Sequence, residues 1–273
     1  MKTPSRRLLR AVAAIGALAF AGAFTLGASA QPRADETSPK PTIVLVHGAF
    51  AESSSWNGVI RKLEAQHYPV IAAANPLRGV KSDAAQVGGL VDAVKGPVVL
   101  VGHSYGGMVI SEAAKNRPNV QALVFVAAFA PEEGESAAAL AGRFPGSTLG
   151  PALAPPVALA DGGQDLYILK DRFHDQFAAD VPARNARLMA ATQRPIAQAA
   201  LGEAASAPAW KTVPSWFVYG GQDKNIPPAA QAFMAQRAKA VKTVVIKSAS
   251  HVVMTSHPDA VARLIAEAAA TTH

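Results

Sequence analysis

The sequence predicts an α/β fold in which a mostly parallel sheet is flanked by helices. Short apolar runs rich in β-branched residues alternate with segments of helical periodicity, as in βαβ units. These runs are continuously apolar, which is typical of strands buried on both faces of a parallel sheet. Removal of 30 N-terminal residues from the 273 would leave 243, enough for one large domain with a substantial core.

The N-terminal 30 residues have the composition of an export signal. A basic start is followed by an apolar, alanine-rich stretch at residues 8–24 and an Ala-Ser-Ala motif at residues 28–30. The basic residues are Lys2, Arg6, Arg7 and Arg10. Because glycines interrupt the stretch and it is short for a bilayer span of about 20 residues, we predict cleavage near Ala30 and a periplasmic or secreted product without a stable membrane anchor. The export route stays open between a general and a twin-arginine signal.

Charge and cysteine content argue against a nucleic-acid partner and exclude cysteine-based bonds. The net charge of +7 falls to +3 after cleavage, since four basic residues leave and 22 Lys and Arg then face 19 Asp and Glu. A charge this small does not predict a nucleic-acid partner. The absence of cysteine excludes disulfides and thiolate metal sites. The sequence does not determine the oligomeric state.

Six strands and several helices follow from periodicity, in an α/β domain at residues 41–273. Residues 31–40 are polar and contain proline, and we expect a disordered lead-in there. The expected strands are residues 42–46, 70–73, 98–101, 122–127, 216–219 and 241–246. Apolar residues recur at helical spacing from Trp56 to Leu63 and from Val261 to Ala268.

The alternation of strands and helices fails at about residues 129–210. This segment is rich in proline and carries only short helical patterns, such as residues 173–177 and 184–191. It is too long for a structureless loop inside a compact domain, so we predict a small helical cap inserted between two strands.

A Gly-His-Ser-Tyr-Gly turn at residues 102–106 nominates Ser104 as a nucleophile. In a glycine-rich chain such a pentapeptide occurs by chance on the order of one time in ten. Its context is more specific, because an apolar run precedes it and a helical pattern follows it. A strand, a sharp turn and a helix together present a serine hydroxyl to a general base and to backbone donors.

His251 is the expected general base. It follows the last strand, and therefore lies at the carboxyl edge of the sheet, where sites in parallel sheets are built. The other histidines stand at helix ends, in the cap, at the terminus or in turns where they brace the backbone: His47, His67, His103, His174, His257 and His273.

Asp223 is the expected orienting carboxylate for that histidine. It follows a strand and a Gly-Gly turn, and it lies between the serine and the histidine in chain order. A carboxylate there would hold the imidazole in one tautomer and stabilise its protonated form. A helix-capping role for Asp223 is the alternative, and Glu132 and Glu133 are the other candidate carboxylates.

Two backbone N–H groups are expected to bind a developing oxyanion. One belongs to Tyr105, directly after the serine and at a helix N-terminus. The other is that of Ala49 in the turn after the first strand, where Gly48 permits a close approach.

These motifs resemble the α/β-hydrolase family over nearly the whole mature chain. The His-Gly turn at residues 47–48, the elbow at 102–106 and the late Asp223 and His251 occur in the family's order. The His-Gly-Ala turn, followed by Trp56, is similar to the branch of plant methyl esterases and hydroxynitrile lyases. The lyases carry threonine at the position of Gly48 and lysine at that of Val252, so the resemblance implies ester hydrolysis. The elbow also lacks the aspartate of haloalkane dehalogenases and epoxide hydrolases.

The expected function is hydrolysis of small-molecule carboxylic esters through an acyl-enzyme, without a cofactor or metal. Gly48, Phe50 and Val252 are the expected contacts of the substrate. Lactonase, amidase and perhydrolase activity on the same triad remain open. A ligand receptor with little turnover is the alternative from another class.

Overall fold

The structure is a computed structural model that describes residues 40–206 and 208–272. The predicted signal segment and residues 31–39 of the predicted lead-in lie outside the described residues. The described strands are β1 (Thr42–Val46), β2 (Val70–Ala73), β3 (Val98–His103), β4 (Val120–Val126), β5 (Val157–Ala158), β6 (Gln164–Leu166), β7 (Ile196–Ala197), β8 (Ser215–Gly220) and β9 (Lys242–Ile246). Within these ranges six parallel strands form the main sheet, in the order β2-β1-β3-β4-β8-β9.

Helices connect and flank these strands. Helices α1 and α11 pack together, as do α2 and α3, and α3 and α11 contact the main sheet. The helices are α1 (Asn57–Glu64), α2 (Val80–Ala93), α3 (Gly106–Ala113), α4 (Ala137–Gly142), α5 (Leu149–Ala152), α6 (Phe173–Phe177), α7 (Ala183–Thr192), α8 (Gln198–Gly202), α9 (Pro228–Arg237), α10 (Val253–Ser256) and α11 (Pro258–Ala269). The predicted α/β fold with a parallel core sheet is confirmed.

Strand β3 lies near the centre of the sheet and is buried along its whole length. It pairs with β1 on one side and with β4 on the other. The sequence predicted its end at Val101, but pairing continues through Gly102 and His103, whose partners are Phe125 and Val126. Periodicity missed these two residues because neither is a β-branched apolar residue.

The strand order reverses direction at β1. The chain passes from β1 to β2 on one side and then returns to β3 on the other side. Helices on opposite connections diverge at such a point, which leaves a crevice outside the carboxyl ends of the two strands. The turns after β1 and β3 therefore meet at the edge where a site is expected.

The segment between β4 and β8 holds α4 to α8 and, in the described residues, a small antiparallel sheet of β5, β6 and β7. We refer to residues 127–214 as the cap segment. The sequence pattern predicted helices here and missed the small sheet, since strands of two or three residues are too short to show a period.

Two polar contacts tie the cap segment to α2 and the turn before it. The carboxylate of Glu203 accepts a hydrogen bond of 2.6 Å from the N–H of Val80, at the N-terminus of α2. A carboxylate is favoured there by the unpaired N–H groups and by the helix dipole. Arg78 also forms an ion pair of 2.6 Å with Asp165. The cap segment is therefore anchored at more than its two ends.

The substitution Leu100→Ala in β3 is expected to lower the free energy of unfolding by about 2–5 kcal/mol, because this side chain is 0% exposed and its removal leaves a cavity. Leu188→Ala is the matched control: that leucine is 68% exposed, and the change should stay within about 0.5 kcal/mol. Urea denaturation followed by circular dichroism measures both. Equal losses in the two variants would contradict the burial of β3.

Candidate active site

Ser104 lies on a sharp turn between β3 and α3. Its φ of 55° is in the left-handed region, which is strained for a residue with a side chain. Glycines on both sides let the turn close. A Cβ at Gly102 would lie 2.6 Å from the carbonyl oxygen of Gly106, and one at Gly106 would lie 2.5 Å from that of Val46. The sequence from 102 to 106 therefore folds into the predicted elbow.

Gly48 packs directly against this elbow. A Cβ at Gly48 would lie 2.6 Å from the Cβ of Ser104 and 3.1 Å from the nitrogen of Tyr105. The turn after β1 thus approaches the elbow as closely as a glycine allows. Ala49 and Tyr105, each the next residue after one side of this contact, line the same cavity.

The N–H groups of Ala49 and Tyr105 are unpaired in the described chain. Both residues are buried and both line the cavity that contains Ser104. Buried N–H groups without an acceptor are rare in proteins. The N–H groups of Ala49 and Tyr105 are therefore exceptions to the usual pairing of buried backbone donors, and their role as oxyanion donors stays a prediction.

His251 and Asp223 form a buried pair. Nδ1 of His251 lies 2.7 Å from Oδ2 of Asp223, and the two residues are 1% and 4% exposed. Oδ1 of Asp223 also accepts hydrogen bonds from the N–H groups of Asn225 and Ile226, at 2.8 and 3.0 Å. A hydrogen bond from Nδ1–H to the carboxylate leaves the lone pair of the histidine on Nε2.

Gln231 completes the setting of Asp223, and sequence reasoning missed it. Its side-chain amide in α9 donates to Oδ2 of Asp223 at 2.9 Å and to the carbonyl of Ile226 at 3.0 Å. The sequence does show that Gln231 stands at helical spacing with the apolar Met234 and directly after Ala230, and all three residues are buried in α9. A polar residue in such a position indicates a buried hydrogen-bond partner but does not identify it.

A cavity of about 310 Å³ joins Ser104 to His251. Nε2 of His251 is buried and has no hydrogen-bond partner among the described residues. The walls are mostly apolar and come from the turn after β1, the elbow, the cap segment and the loops that follow β8 and β9. They are Ala49, Phe50, Ser104, Tyr105, Phe129, Ala137, Ala138, Ala141, Ser147, Leu149, Gly150, Leu153, Phe177, Leu201, Asn225, Ile226 and His251.

Of the three expected substrate contacts, Phe50 lines this cavity. Gly48 and Val252 do not belong to its described walls. Gly48 instead packs against the elbow, and Val252 is 0% exposed in the hydrophobic core. Their residue types are therefore explained by packing in this structure.

The two other histidines at this edge support the backbone. His47 is buried; its Nε2 accepts the N–H of Asn75 at 3.1 Å, and its Nδ1 lies 3.0 Å from the carbonyl of Gly48. Burial lowers the pKa of His47 to about 4. Nε2 of His103 lies 3.2 Å from the carbonyl of His251, and burial followed by the charge of His251 holds the pKa of His103 well below its ordinary value.

The side chain of Tyr105 ties the elbow to α2. Its hydroxyl donates to Oδ2 of Asp83 at 3.0 Å. Burial raises the pKa of Asp83, and burial together with that carboxylate raises the pKa of the Tyr105 phenol. The phenol therefore stays protonated and keeps donating.

The remaining carboxylate candidates lie elsewhere. Glu132 forms an ion pair of 2.6 Å with Lys211, and Glu133 is exposed. In the described part of the chain no group of three or more His, Asp or Glu side chains has a geometry that could hold a metal. Nor does any described helix combine the length and the apolar character that crossing a bilayer requires.

Comparison with known proteins gives a family match over most of the chain. The profile of the alpha/beta hydrolase family matches residues 43–264. An alpha/beta hydrolase from Aspergillus novofumigatus (strain IBT 16806), nvfD, is 25% identical over 250 residues, which cover 84% of this chain and 97% of that protein. A carbendazim hydrolyzing esterase from Nocardioides sp. (strain SG-4G) is 54% identical over 44 residues, which cover 16% of this chain and 18% of that protein. The crystal structure of polyneuridine aldehyde esterase shares the fold, with a TM-score of 0.72, 19% identity and coverage of 84% of this chain and 98% of that one.

His47 is expected to stay neutral until the pH falls to about 4. The unfolded chain takes up this proton near pH 6.5, so the unfolded state binds more protons between these two values and stability should fall as the pH drops through that window. Nitrogen-detected NMR of the His47 imidazole measures the pH at which half of it is protonated. Urea denaturation at several pH values in this window measures how steeply the free energy of unfolding changes with pH. Half-protonation near pH 6.5, or the same pH dependence of the free energy of unfolding in His47→Gln as in the wild type, would contradict the lowered pKa of His47.

Proposed function

The chain belongs to the alpha/beta hydrolase family, and we propose on that premise that it hydrolyses carboxylic esters of small molecules with a Ser104, His251 and Asp223 triad. The observation that carries the proposal is the buried His251. Its Nδ1 contacts Asp223, its Nε2 has no hydrogen-bond partner among the described residues, and His251 and Ser104 line the same cavity. The match to a protein named as an esterase supports ester chemistry.

Ester cleavage begins with attack by Ser104. Its Oγ bonds to the ester carbonyl carbon while Nε2 of His251 takes the hydroxyl proton. The carbonyl oxygen becomes an oxyanion, which the free N–H groups of Ala49 and Tyr105 stabilise. Their freedom from other acceptors matters here, since such donors need no rearrangement as charge develops.

The intermediate then collapses to an acyl-enzyme. The bond to the alcohol breaks, and the protonated His251 donates its proton to the leaving oxygen. A water molecule next attacks the acyl ester on Ser104 while His251 accepts one of the water protons. Collapse of this second intermediate releases the carboxylic acid and returns the proton to Ser104.

Asp223 supports both halves of the reaction. Its negative charge stabilises the imidazolium that forms at each attack. Four hydrogen bonds hold the carboxylate, from Asn225, Ile226, Gln231 and His251. The carboxylate is therefore oriented before the substrate binds.

The cavity walls favour an uncharged, apolar group beside Ser104. Among the described residues, no Lys, Arg, Asp or Glu side chain lines this cavity. The volume of this cavity is about 310 Å³. A charged group would lose its hydration there without gaining an ionic partner.

Ser104→Ala is expected to lower kcat for a short-chain nitrophenyl ester by several orders of magnitude, by analogy with triad deletions that cost about 10⁶. Ser147→Ala is the matched control, because Ser147 lines the same cavity outside the triad and its loss should change kcat only a few-fold. A fluorophosphonate should label the wild type at Ser104. If the wild type and Ser104→Ala were equally inactive on a broad panel of esters and lactones, the proposed hydrolysis would be rejected in favour of a ligand-binding role.

The apolar cavity predicts discrimination against charged esters. We compare two esters that share the same nitrophenyl leaving group and have acyl chains of equal length. The kcat/KM of the hexanoate is expected to be about 100-fold higher than that of the ester whose acyl chain ends in a carboxylate. Leu201→Arg, in the cavity wall, should narrow this ratio, whereas Leu188→Arg, on an exposed leucine, should not. Equal rates for the two esters in the wild type would show that the carboxylate does not enter this cavity.

A further inference from the structure

We propose that Asp180 of the cap segment is a positioning residue for His251. It acts through the hydroxyl of Ser250, the residue that precedes the histidine. The inference rests on the proposed function, because it concerns the base of that reaction. Nothing in the triad pattern of the sequence points to Asp180, which lies 71 residues before His251 in the chain.

The contact is a direct, partly buried hydrogen bond. The hydroxyl of Ser250 donates to Oδ1 of Asp180, and Ser250 is 2% exposed. A serine hydroxyl has one proton to donate, and a carboxylate is a stronger acceptor for it than a carbonyl. The carbonyl of Phe177 lies near the same hydroxyl, at 3.5 Å. The cap segment therefore surrounds the side chain next to His251.

The same stretch of the cap segment also packs on the ring of His251. The ring centroid of Phe177 lies 5.1 Å from that of His251 and 6.3 Å from that of His103. Phe177 precedes Asp180 by three residues. Residues 177–180 thus contact His251 at its ring and, through Ser250, at its backbone.

The second carboxylate oxygen of Asp180 is turned away from solvent. Oδ2 is buried and has no hydrogen-bond partner among the described residues. Nδ1 of His257 lies 3.4 Å from it, and that nitrogen is also 2.9 Å from the hydroxyl of Ser256. Burial of one carboxylate oxygen without a hydrogen bond costs stability unless other contacts of the group offset the loss of water. The contact with Ser250 is the one that reaches the catalytic loop.

The opposite side of that loop is held by the core. A Cβ at Gly220 would lie 2.2 Å from the carbonyl oxygen of Ala249, and that carbonyl accepts the N–H of Gln222 at 3.0 Å. The turn after β8 therefore supports the loop from one side, and Asp180 supports it from the other. Removal of Asp180 would leave the loop free to shift toward the cap segment.

A small shift of this loop is expected to lower turnover more than binding. Misplacement of a catalytic group by about 1 Å can cost on the order of 100-fold in rate. Asp180 and Ser250 do not line the described walls of the cavity, so the affinity for substrate should be little affected. A contact that merely held the cap segment closed would instead change KM or stability.

The test compares Asp180→Ala, Ser250→Ala and the double variant in the full chain. Each single variant is expected to lower kcat about 10- to 100-fold with KM within about twofold, and the double variant should lose no more than either single one, because both remove the same hydrogen bond. Asp180→Asn keeps an acceptor and should restore most of the turnover. Asp175→Asn, on an exposed residue of the same cap segment, is the matched control and should leave kcat unchanged.

Two outcomes would overturn the proposal: unchanged kcat in both single variants, or losses that add in the double variant. Ser250→Ala removes only one hydroxyl, so it serves if Asp180→Ala fails to fold. A second readout is independent of the substrate, namely the NMR signal of the His251 Nδ1 proton, which should shift or broaden in both alanine variants and stay fixed in Asp175→Asn. If Ser104→Ala abolishes ester hydrolysis while Asp180→Ala keeps kcat and the NMR signal, this inference fails alone. If the wild type cleaves no ester, the proposed function fails, and the NMR signal still decides whether Asp180 positions His251.

Discussion

The backbone contact between the turns after β1 and β3 is the constraint on which the rest of the site depends. A Cβ at Gly48 would lie 2.6 Å from that of Ser104, so two turns from neighbouring strands meet with no room for a side chain. The contact holds Ser104 in a left-handed conformation and brings the free N–H groups of Ala49 and Tyr105 to one cavity. Parallel strands place both turns at one edge of the sheet, and the reversal of strand order at β1 leaves space above them.

Polar groups at this edge are buried, and most of them are paired. His47 pairs with Asn75, and Tyr105 pairs with Asp83. The exceptions include Nε2 of His251 and the backbone N–H groups of Ala49 and Tyr105. Unpaired polar groups cost free energy in a buried place, and they concentrate where a ligand completes them. The unpaired groups are therefore the ones to which the proposed function assigns a part in the reaction, and the paired side chains hold the turns around them.

The cap segment is coupled to the site by polar contacts as well as by apolar packing. Glu203 caps the N-terminus of α2, the helix whose Asp83 holds the phenol of Tyr105. Phe177 and Asp180 contact His251 and Ser250. The cap segment therefore contacts the helix that holds the phenol of Tyr105 and the loop that carries His251.

The sequence by itself determined the parallel α/β architecture, since strands buried on both faces are continuously apolar and six such runs lie between helical patterns. Chain order and local turns also nominated Ser104, Asp223 and His251, because elbows and strand ends are local features. Only the tertiary structure decided which side chains surround them. Gln231 and Asp180 are ordinary polar residues until folding sets them against Asp223 and Ser250. Gly48 and Val252, expected to contact the substrate, are not among the described cavity walls: Gly48 packs against the elbow and Val252 is buried in the core. Contacts between distant turns depend on three-dimensional distances, which sequence periodicity does not contain.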